Sequence, residues 1–486
     1  MALRRVRLCA AAEGAPAGPL DLAFAGVRRE LGVPAEFPAD VLDAAEHAAR
    51  APRLPDADLT DLPFYTIDPP GSRDLDQALY LERDGSGYRV RYAIADLTAF
   101  VEPGGPVDAE ARRRGQTVYC PDVATPLHPP VLSQDAASLL PGQVRAAYVW
   151  DVRLDAEGEV RSADVARALM RSVERLDYAT VQDAVDGGAP DERFVLLREV
   201  GERRLELERA RGGASLPLPE QEVVQEGDRY LLRLRPPSQV EDWNAQISLL
   251  AGMAAADMML AADVGILRTM PPPAGETLVR FHRQAAALGA RWPAETPYGE
   301  FLRSLDRSDP RQLALVHEAT ALFRGAGYTA FEGDVPEIAE HAAVAAEYAH
   351  VTAPLRRLVD RFGLVICHSL CRDVEVPAWV REALPTLPGL MAASDRLVAA
   401  VDRACTSAVE AAVLGSRVGE EFAAVVVDVV ADGGPQAPDR PRGVVQLVDP
   451  PVVAPVLGQV RLGDGIRVRV DAADVDAGTV RLVPVG

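Results

Sequence analysis

Three aspartates lie within nine residues of this chain, around a Pro-Pro-Gly turn. Asp68, Asp74 and Asp76 belong to the segment D-P-P-G-S-R-D-L-D-Q. Side chains two apart on an extended segment share one side, and the turn at 69–71 can fold Asp68 back towards them. Carboxylates this close repel one another unless a cation lies between them. Their hard oxygen atoms suit Mg²⁺ or Mn²⁺, so the segment predicts a site for phosphate chemistry, with a solvated acidic turn as the alternative.

The basic residues are all arginine: the chain has 51 Lys and Arg residues together, and none of them is lysine. This excludes a P-loop lysine and a Schiff-base lysine, and we expect no nucleotide cofactor. The formal net charge of −21 counts against nucleic-acid binding over the whole surface, but a channel needs only local positive potential. Such potential could come from the arginine clusters at 112–114, 203–204, 209–211 and 356–361, although each could also be a solvated helix face.

The chain also carries signals about its compartment. No stretch approaches 18 consecutive apolar residues, and the apolar run before Glu13 is too short for a secretory signal, so we expect no membrane contact. Five scattered cysteines are typical of a cytoplasmic protein. Cys367, His368 and Cys371 have a zinc interpretation, but they lie in an apolar helical stretch without a second pair of ligands.

Around these residues the pattern predicts three regions. Residues 1–60 contain two short helices, at 20–31 and 38–50, which form either a helix-turn-helix unit or a helical hairpin packed on the next domain. The thin basic face favours the hairpin. Residues 61–414 form a mixed α+β domain, with strands at 87–96 and 146–154, helices dominating from about 164, and long helices at 239–260 and 313–325.

Residues 415–486 change character again. Short strands at 422–430, 443–448, 466–470 and 480–483 are separated by Gly, Pro and Asp turns. This spacing predicts a small five-stranded β-barrel of the OB type, a fold that binds RNA in many proteins.

Residues 66–79 resemble the catalytic motif of the ribonuclease II / ribonuclease R family, and residues 93–96, 114–122 and 126–133 resemble later segments of the same family. Residues 348–360 resemble the second signature of the family, and the match runs in order from about 62 to 410. The resemblance implies a hydrolytic, processive 3′→5′ exoribonuclease that degrades single-stranded RNA to nucleoside 5′-monophosphates in RNA turnover. It also implies a mixed sheet wrapped by helices, which form a channel for one unpaired strand.

The resemblance assigns roles to acids and arginines of this chain. The metal-binding acids of the family are matched by Asp68, Asp74 and Asp76. Asp76 is the acid most tied to catalysis, and Asp74 is also assigned a catalytic role. Arg356 matches the arginine at the scissile phosphate, and an ion pair with Asp360 is its alternative role. The implied cofactor is Mg²⁺, with Mn²⁺ as a substitute.

Further residues match those that hold the RNA. Tyr119 matches the aromatic that stacks on the terminal base, Tyr178 and Glu241 match residues that guide the strand, and Arg357 is assigned to RNA binding beside Arg356. Asp96 has a capping and a catalytic interpretation, so it is left out of the predicted site.

The chain departs from the family pattern at three places, one of which is residues 213–220, where relatives often have a second stacking aromatic and this chain has none. Gln77 stands where the family has a fourth aspartate, and it would ligate a metal only through a neutral carbonyl oxygen. The cold-shock barrels that commonly precede the catalytic domain are replaced by the 60 helical residues. The leading hypothesis is therefore a monomeric, metal-dependent exoribonuclease acting on RNA 3′ ends. The alternatives are a non-catalytic RNA-binding relative and, last, a DNA-binding regulator.

Overall fold

The computed structural model describes residues 18–188, 191–216, 218–226, 229–429 and 442–485, together with the backbone of residues 6–8. The strands are β1 (Val6–Leu8), β2 (Phe64–Ile67), β3 (Gln77–Asp84), β4 (Gly87–Ala95), β5 (Val118–Tyr119), β6 (Ala124–Thr125), β7 (Val144–Leu154), β8 (Val160–Leu176), β9 (Glu220–Glu226), β10 (Arg229–Arg235), β11 (Val264–Thr269), β12 (Gly327–Glu332), β13 (Glu340–His341), β14 (Ala346–Glu347), β15 (Glu421–Val429), β16 (Gly443–Leu447), β17 (Val453–Val456), β18 (Gly465–Asp474) and β19 (Thr479–Pro484). The α-helices are α1 (Pro19–Glu30), α2 (Ala39–Arg50), α3 (Pro106–Arg114), α4 (Tyr178–Asp186), α5 (Glu192–Arg211), α6 (Gln239–Ala261), α7 (Gly275–Ala287), α8 (Tyr298–Arg303), α9 (Pro310–Glu318), α10 (Leu358–Cys371), α11 (Ala378–Ala383) and α12 (Leu387–Gly415).

The central sheet closes into a barrel with the strand order β2-β3-β4-β7-β8. Its neighbours pair antiparallel except β2 and β8, which are parallel, so the sheet is mixed. Buried Tyr92 and Trp150 are cross-strand partners in β4 and β7 and join a core that extends into α5, α6 and α10. The predicted fold class, a mixed sheet with packed helices, is confirmed, and so are the two strands predicted in it.

The sequence pattern predicts the start of the helical part of this region too early: helices dominate from Tyr178, and not from about residue 164. Residues 160–176 form the long strand β8, which pairs with both β7 and β2. Its alanine and arginine content resembles a helix, but Val165, Ala168 and Met170 are buried in the barrel, and pairing on both edges overrides helix propensity.

The two predicted N-terminal helices are present and pack on different parts of the neighbouring domain. Buried Leu20 and Phe24 of α1 join a core cluster with Val401 and Cys405 of α12, while α2 packs on α3. Both helices pack on the neighbouring domain, as the hairpin interpretation expects, and the choice between a hairpin and a helix-turn-helix unit stays a prediction. The boundary at residue 60 stays a prediction.

The C-terminal barrel is closed in the order β15-β16-β17-β19-β18, as predicted for an OB-type fold. The predicted strands match β15, β16, β18 and β19, although Val430 lies outside the described residues. The sequence pattern missed β17, because Pro455 demotes a strand in pattern analysis. Gln284 of α7 donates to the Val427 carbonyl at 3.1 Å, which ties this barrel to the preceding helices.

Among the described residues, none of the helices combines the length and the apolar character that a bilayer crossing requires.

Candidate active site

The acid turn, residues 68–76, begins where β2 leaves the central barrel. The amide of Asp68 donates to the Leu176 carbonyl of β8 at 3.1 Å, so the first acid is fixed to the sheet. The chain then turns at Gly71, whose φ of 84° is a conformation that favours glycine, and the Ser72 amide donates to the Pro69 carbonyl at 3.2 Å. The Pro-Pro-Gly sequence therefore produces the predicted bend.

A serine from a distant segment holds the second half of the acid turn. The Ser138 hydroxyl donates to the Arg73 carbonyl at 2.6 Å and accepts from the Leu75 amide at 2.9 Å. Leu75 is fully buried in the core. Asp74 and Asp76 flank this buried side chain, and the charge of Asp74 acts on Asp76, so the two acids are close to each other.

The arginine loop, residues 352–357, carries the second group of predicted site residues. Fully buried Asp360 accepts from the Ala353 amide at 2.6 Å and from Arg357 at 2.9 Å (Nη2) and 3.0 Å (Nε). The alternative pairing of Arg356 with Asp360 is therefore wrong, because Asp360 pairs with Arg357 instead. The loop is organised by this one carboxylate, and Arg356 is directed elsewhere.

Asp76 joins the two segments, which are 279 residues apart in sequence. The Leu355 amide donates to Asp76 Oδ1 at 2.7 Å, and Arg356 Nε lies 3.4 Å from Asp76 Oδ2. The Asp76 side chain is 6% exposed, whereas that of Arg356 is 36% exposed and can reach a bound ligand. Gln77 adds a second link, because its Nε2 donates to the Thr352 carbonyl at 2.7 Å.

Two carboxylates of the acid turn, Asp68 and Asp76, have pKa values above the ordinary range for aspartate. Burial raises the pKa of Asp68 to about 6 and that of Asp76 well above its ordinary value. Arg356 opposes both shifts, and the charge of Asp74 adds to both. Asp74 therefore lies close enough to Asp68 and Asp76 for the three acids to interact.

The oxygen atoms of Asp68, Asp74 and Asp76 fit a divalent cation, although these side chains would have to move to bind it together. No group of three His, Cys, Asp or Glu side chains within the described residues is already arranged to hold a metal ion. The three acids nevertheless supply hard oxygen atoms, and the raised pKa of Asp68 and Asp76 is the penalty that a bound cation would relieve. The side-chain amide nitrogen of Gln77 donates to the Thr352 carbonyl, and its side-chain carbonyl oxygen is the atom that could bind a metal.

Tyr119 lies beside the acid turn, with its ring accessible. Its hydroxyl donates to Asp74 Oδ2 at 3.1 Å, and the residue is 52% exposed. The preceding segment is paired with the arginine loop: the Thr117 amide donates to the Arg356 carbonyl at 2.9 Å. This pairing therefore brings Tyr119, which contacts Asp74, and Arg356, which contacts Asp76, to the same group of acids.

Of the two residues predicted to guide the strand, Tyr178 lies near the acids, whereas Glu241 has its hydrogen-bond partners at the start of α6. Tyr178 begins α4 and accepts a hydrogen bond from Asn244 at 3.2 Å; burial, followed by the charge of Asp68, raises its pKa to about 12. Glu241 caps α6, accepting from the Ser238 amide at 2.6 Å, and pairs with Arg235 at 3.0 Å. The structure thus brings Tyr178 to the acid site, while the carboxylate of Glu241 is engaged at a helix start.

The capping interpretation of Asp96 is confirmed. Its fully buried carboxylate accepts from the amides of Thr98 and Ala99 and pairs with Arg167 at 2.7 Å. In α10, Cys367 directs its thiol to the Ala255 carbonyl at 3.8 Å, and the zinc interpretation finds no support in the described part of the chain.

Sequence reasoning missed the residues that support the site. Ser138 and Asn244 have no local signal, because their partners come from distant segments. Asp360 did have a local signal, because an acid three residues after Arg357 at the start of a helix is spaced for an ion pair. The alternative role considered for Arg356 assigned this acid to the wrong arginine.

The chain belongs to the RNB domain family, whose pattern matches residues 56–372. Residues 420–485 match the C-terminal S1 domain of RNase II-type exonucleases. The first match covers the central barrel, the acid turn and the arginine loop, and the second covers the C-terminal barrel.

Named relatives agree with this assignment. Ribonuclease R of Escherichia coli is 32% identical over 327 residues, which are 62% of this chain and 39% of that protein. The chain thus aligns with well under half of this curated relative. Mycoplasma genitalium RNase R, solved with ribose methylated single-stranded RNA, superimposes with a TM-score of 0.81 at 18% identity, covering 96% of this chain and 78% of that one. Yeast Ssd1, described as a pseudonuclease, superimposes with a TM-score of 0.64 at 16% identity. The superposition covers 92% of this chain and 59% of Ssd1.

Proposed function

We propose that this chain is a processive, metal-dependent 3′→5′ exoribonuclease that degrades single-stranded RNA to nucleoside 5′-monophosphates. The observation that supports it most is the contact between Asp76 and the arginine loop through Leu355 and Arg356. This contact places a buried carboxylate, a partly exposed guanidinium and two further acids together, beside the exposed ring of Tyr119. The RNB family match and the similarity to proteins named ribonuclease R support this reaction class.

The chain's own groups have separable roles in this proposal. Arg356 presents N–H donors to the scissile phosphate and stabilises the charge that develops there in the transition state. Asp76 orients that guanidinium and, with Asp74, faces the attacking water. Burial of Asp76 strengthens both interactions, because charges attract more strongly where water is excluded.

Asp68, Asp74 and Asp76 would hold Mg²⁺ or Mn²⁺, with the carbonyl oxygen of Gln77 as a further donor. When bound, the ion supplies a water molecule of lowered pKa and neutralises charge on the phosphate. Because Gln77 brings no charge, we expect weaker metal binding than with a fourth carboxylate.

A metal titration tests this expectation. Gln77→Asp adds a charged ligand, so half-maximal RNA hydrolysis should require less Mg²⁺ than in the natural protein. Gln77→Asn is the matched control, since it has the same shorter side chain without the charge. Coincident curves for Gln77→Asp and Gln77→Asn would dismiss the charge argument.

The RNA is held by side chains around the acids. The exposed ring of Tyr119 would stack on the terminal base, an interaction that contributes roughly 1–3 kcal/mol and tolerates any base. Tyr178 would line the RNA strand near Asp68, whose charge acts on its hydroxyl. Arg357 and Glu241 have internal partners, and we propose that they support the RNA path through the arginine loop and α6.

A non-catalytic RNA-binding relative is the second candidate. Gln77, the absence of a preformed three-acid metal cluster among the described residues and the similarity to a pseudonuclease favour it. The presence of all three acids and of Arg356 in contact with Asp76 favours the enzyme.

End-labelled RNA duplexes with a single-stranded tail separate these candidates. The enzyme should release nucleoside 5′-monophosphates from the 3′-tailed substrate in Mg²⁺ and leave the 5′-tailed substrate and the metal-free reaction unchanged. Binding without release in every arm would support the non-catalytic relative. Cleavage from the 5′ tail would contradict the proposed polarity.

A further inference from the structure

Two thiols lie close together where β5, α12 and α1 meet. Cys120 directly follows Tyr119, and Cys405 lies on α12; both are free cysteines. Both side chains belong to one buried cluster, in which α12 packs on β5, and each thiol acts on the electrostatics of the other. Cys405 is 2% exposed, whereas Cys120 is 9% exposed and so is the more accessible of the two. This pair has no part in the site described above.

A cation is placed beside one of the two thiols. Arg28 of α1 forms an ion pair with Asp122 at 2.6 Å, two residues after Cys120, and its charge acts on the Cys120 thiol. Cys405, followed by Arg28, lowers the pKa of the Cys120 thiol against the opposing effect of burial. A neighbouring guanidinium is the usual setting of a reactive thiolate, so Cys120 is the nucleophile and Cys405 its partner.

The other described cysteines lie in a different setting. Cys367 and Cys371 share α10, one turn apart, and burial raises the pKa of both thiols. Cys371 directs its sulfur to Met258 Sδ at 3.7 Å. They are the internal control for any reaction of the first pair.

We propose that Cys120 and Cys405 are a peroxide-reactive pair that closes a disulfide between β5 and α12. The Cys120 thiolate attacks one peroxide oxygen, the O–O bond breaks, and protonation of the leaving hydroxide gives water and a sulfenic acid at Cys120. The Cys405 sulfur then attacks the Cys120 sulfur, forming the S–S bond and releasing a second water. Two thiols are oxidised by two electrons in total, and one hydrogen peroxide is reduced to two waters.

The consequence is local to the strand that carries Tyr119. The Cys120 amide donates to the Val123 carbonyl at 3.0 Å, so Cys120 is part of the β5–β6 hairpin. An S–S bond of about 2.05 Å would tie this hairpin covalently to α12. The chemistry does not depend on the proposed nuclease activity, and it can be measured without RNA.

The test treats the full chain with dilute hydrogen peroxide, followed by denaturation, thiol titration and peptide mass spectrometry. We expect the titrated thiols to fall from five to three, because two of the five cysteines are consumed, and one linked peptide pair to contain Cys120 and Cys405. In Cys405→Ser, a sulfenic acid should persist at Cys120 and be trapped by dimedone. Cys367→Ser should react like the natural protein.

Peptide mapping of the natural protein keeps the test decisive if Cys405→Ser does not fold. A linkage that uses Cys367 or Cys371, a bond between two chains, or five thiols remaining after treatment would each overturn the inference.

Discussion

Asp76 is the residue on which two distant segments depend. It accepts a hydrogen bond from the Leu355 amide and lies in salt-bridge range of Arg356, while being almost fully buried. A hydrogen bond to a charged group contributes about 1.5–3 kcal/mol, and an unpaired buried carboxylate costs more than that. Asp76 and Arg356 are therefore expected to act as one unit, with effects that do not add when both are changed.

Substitution of Arg356 tests this unit. Arg356→Ala should lower the rate of RNA hydrolysis by on the order of 10³-fold, because an arginine at a transferring phosphate contributes this much or more. Arg356→Lys keeps the charge but loses the planar fork, so it should restore only part of the rate. Single-turnover release of mononucleotide measures both. Equal rates for the natural protein and Arg356→Ala would remove Arg356 from the chemistry.

At the scale of the elements, the arginine loop is held from inside by one carboxylate. Asp360 lies at the start of α10 and binds both the Ala353 amide and the Arg357 guanidinium. The loop in turn pairs with residues 115–117 and carries the carbonyl that Gln77 binds. Its conformation therefore controls the position of Arg356 and Tyr119 together.

Loss of this carboxylate should loosen the loop. Asp360→Asn leaves Arg357 without its buried partner, so we expect the free energy of unfolding to fall by on the order of 3 kcal/mol. Amide hydrogen exchange in residues 352–357 should rise at the same time. Asp177→Asn, at the exposed N-cap of α4, is the control and should change little. Unchanged exchange in Asp360→Asn would show that other contacts hold the loop.

Sequence patterns predict elements well where the pattern is local. Strands β4 and β7 and the C-terminal barrel follow from alternation and turn residues, and α1, α2 and α6 follow from helical periodicity. Strand β8 does not, because its sequence is rich in alanine and arginine and its pairing is with distant strands. The site divides in the same way: the acid turn is local, whereas Ser138, Thr352 and Asp360 become partners only after the chain folds.

At the scale of the molecule, the formal net charge of −21 and the proposed RNA ligand have the same sign. Binding therefore has to come from local positive charge, such as Arg356 and Arg175, whose charges both lower the pKa of Asp68. Each phosphate contact made by arginine releases counterions from the RNA.

Salt dependence measures this local contribution. We expect the affinity for single-stranded RNA in the absence of Mg²⁺ to fall with salt, with a log–log slope of about −0.7 for each neutralised phosphate. Fluorescence anisotropy with a labelled oligonucleotide gives the slope. An affinity that rises with salt would mean that net repulsion dominates and that no cationic path exists.

The most direct measurement compares the natural protein with Asp76→Asn on one 3′-tailed RNA in Mg²⁺, following product release and RNA binding side by side. Asp76→Asn should abolish nucleoside 5′-monophosphate release and keep RNA affinity within a few-fold, because its remaining oxygen can still accept from the Leu355 amide and the exposed Tyr119 ring is unchanged. Undiminished release by Asp76→Asn would contradict the proposal that this buried carboxylate is at the centre of the reaction.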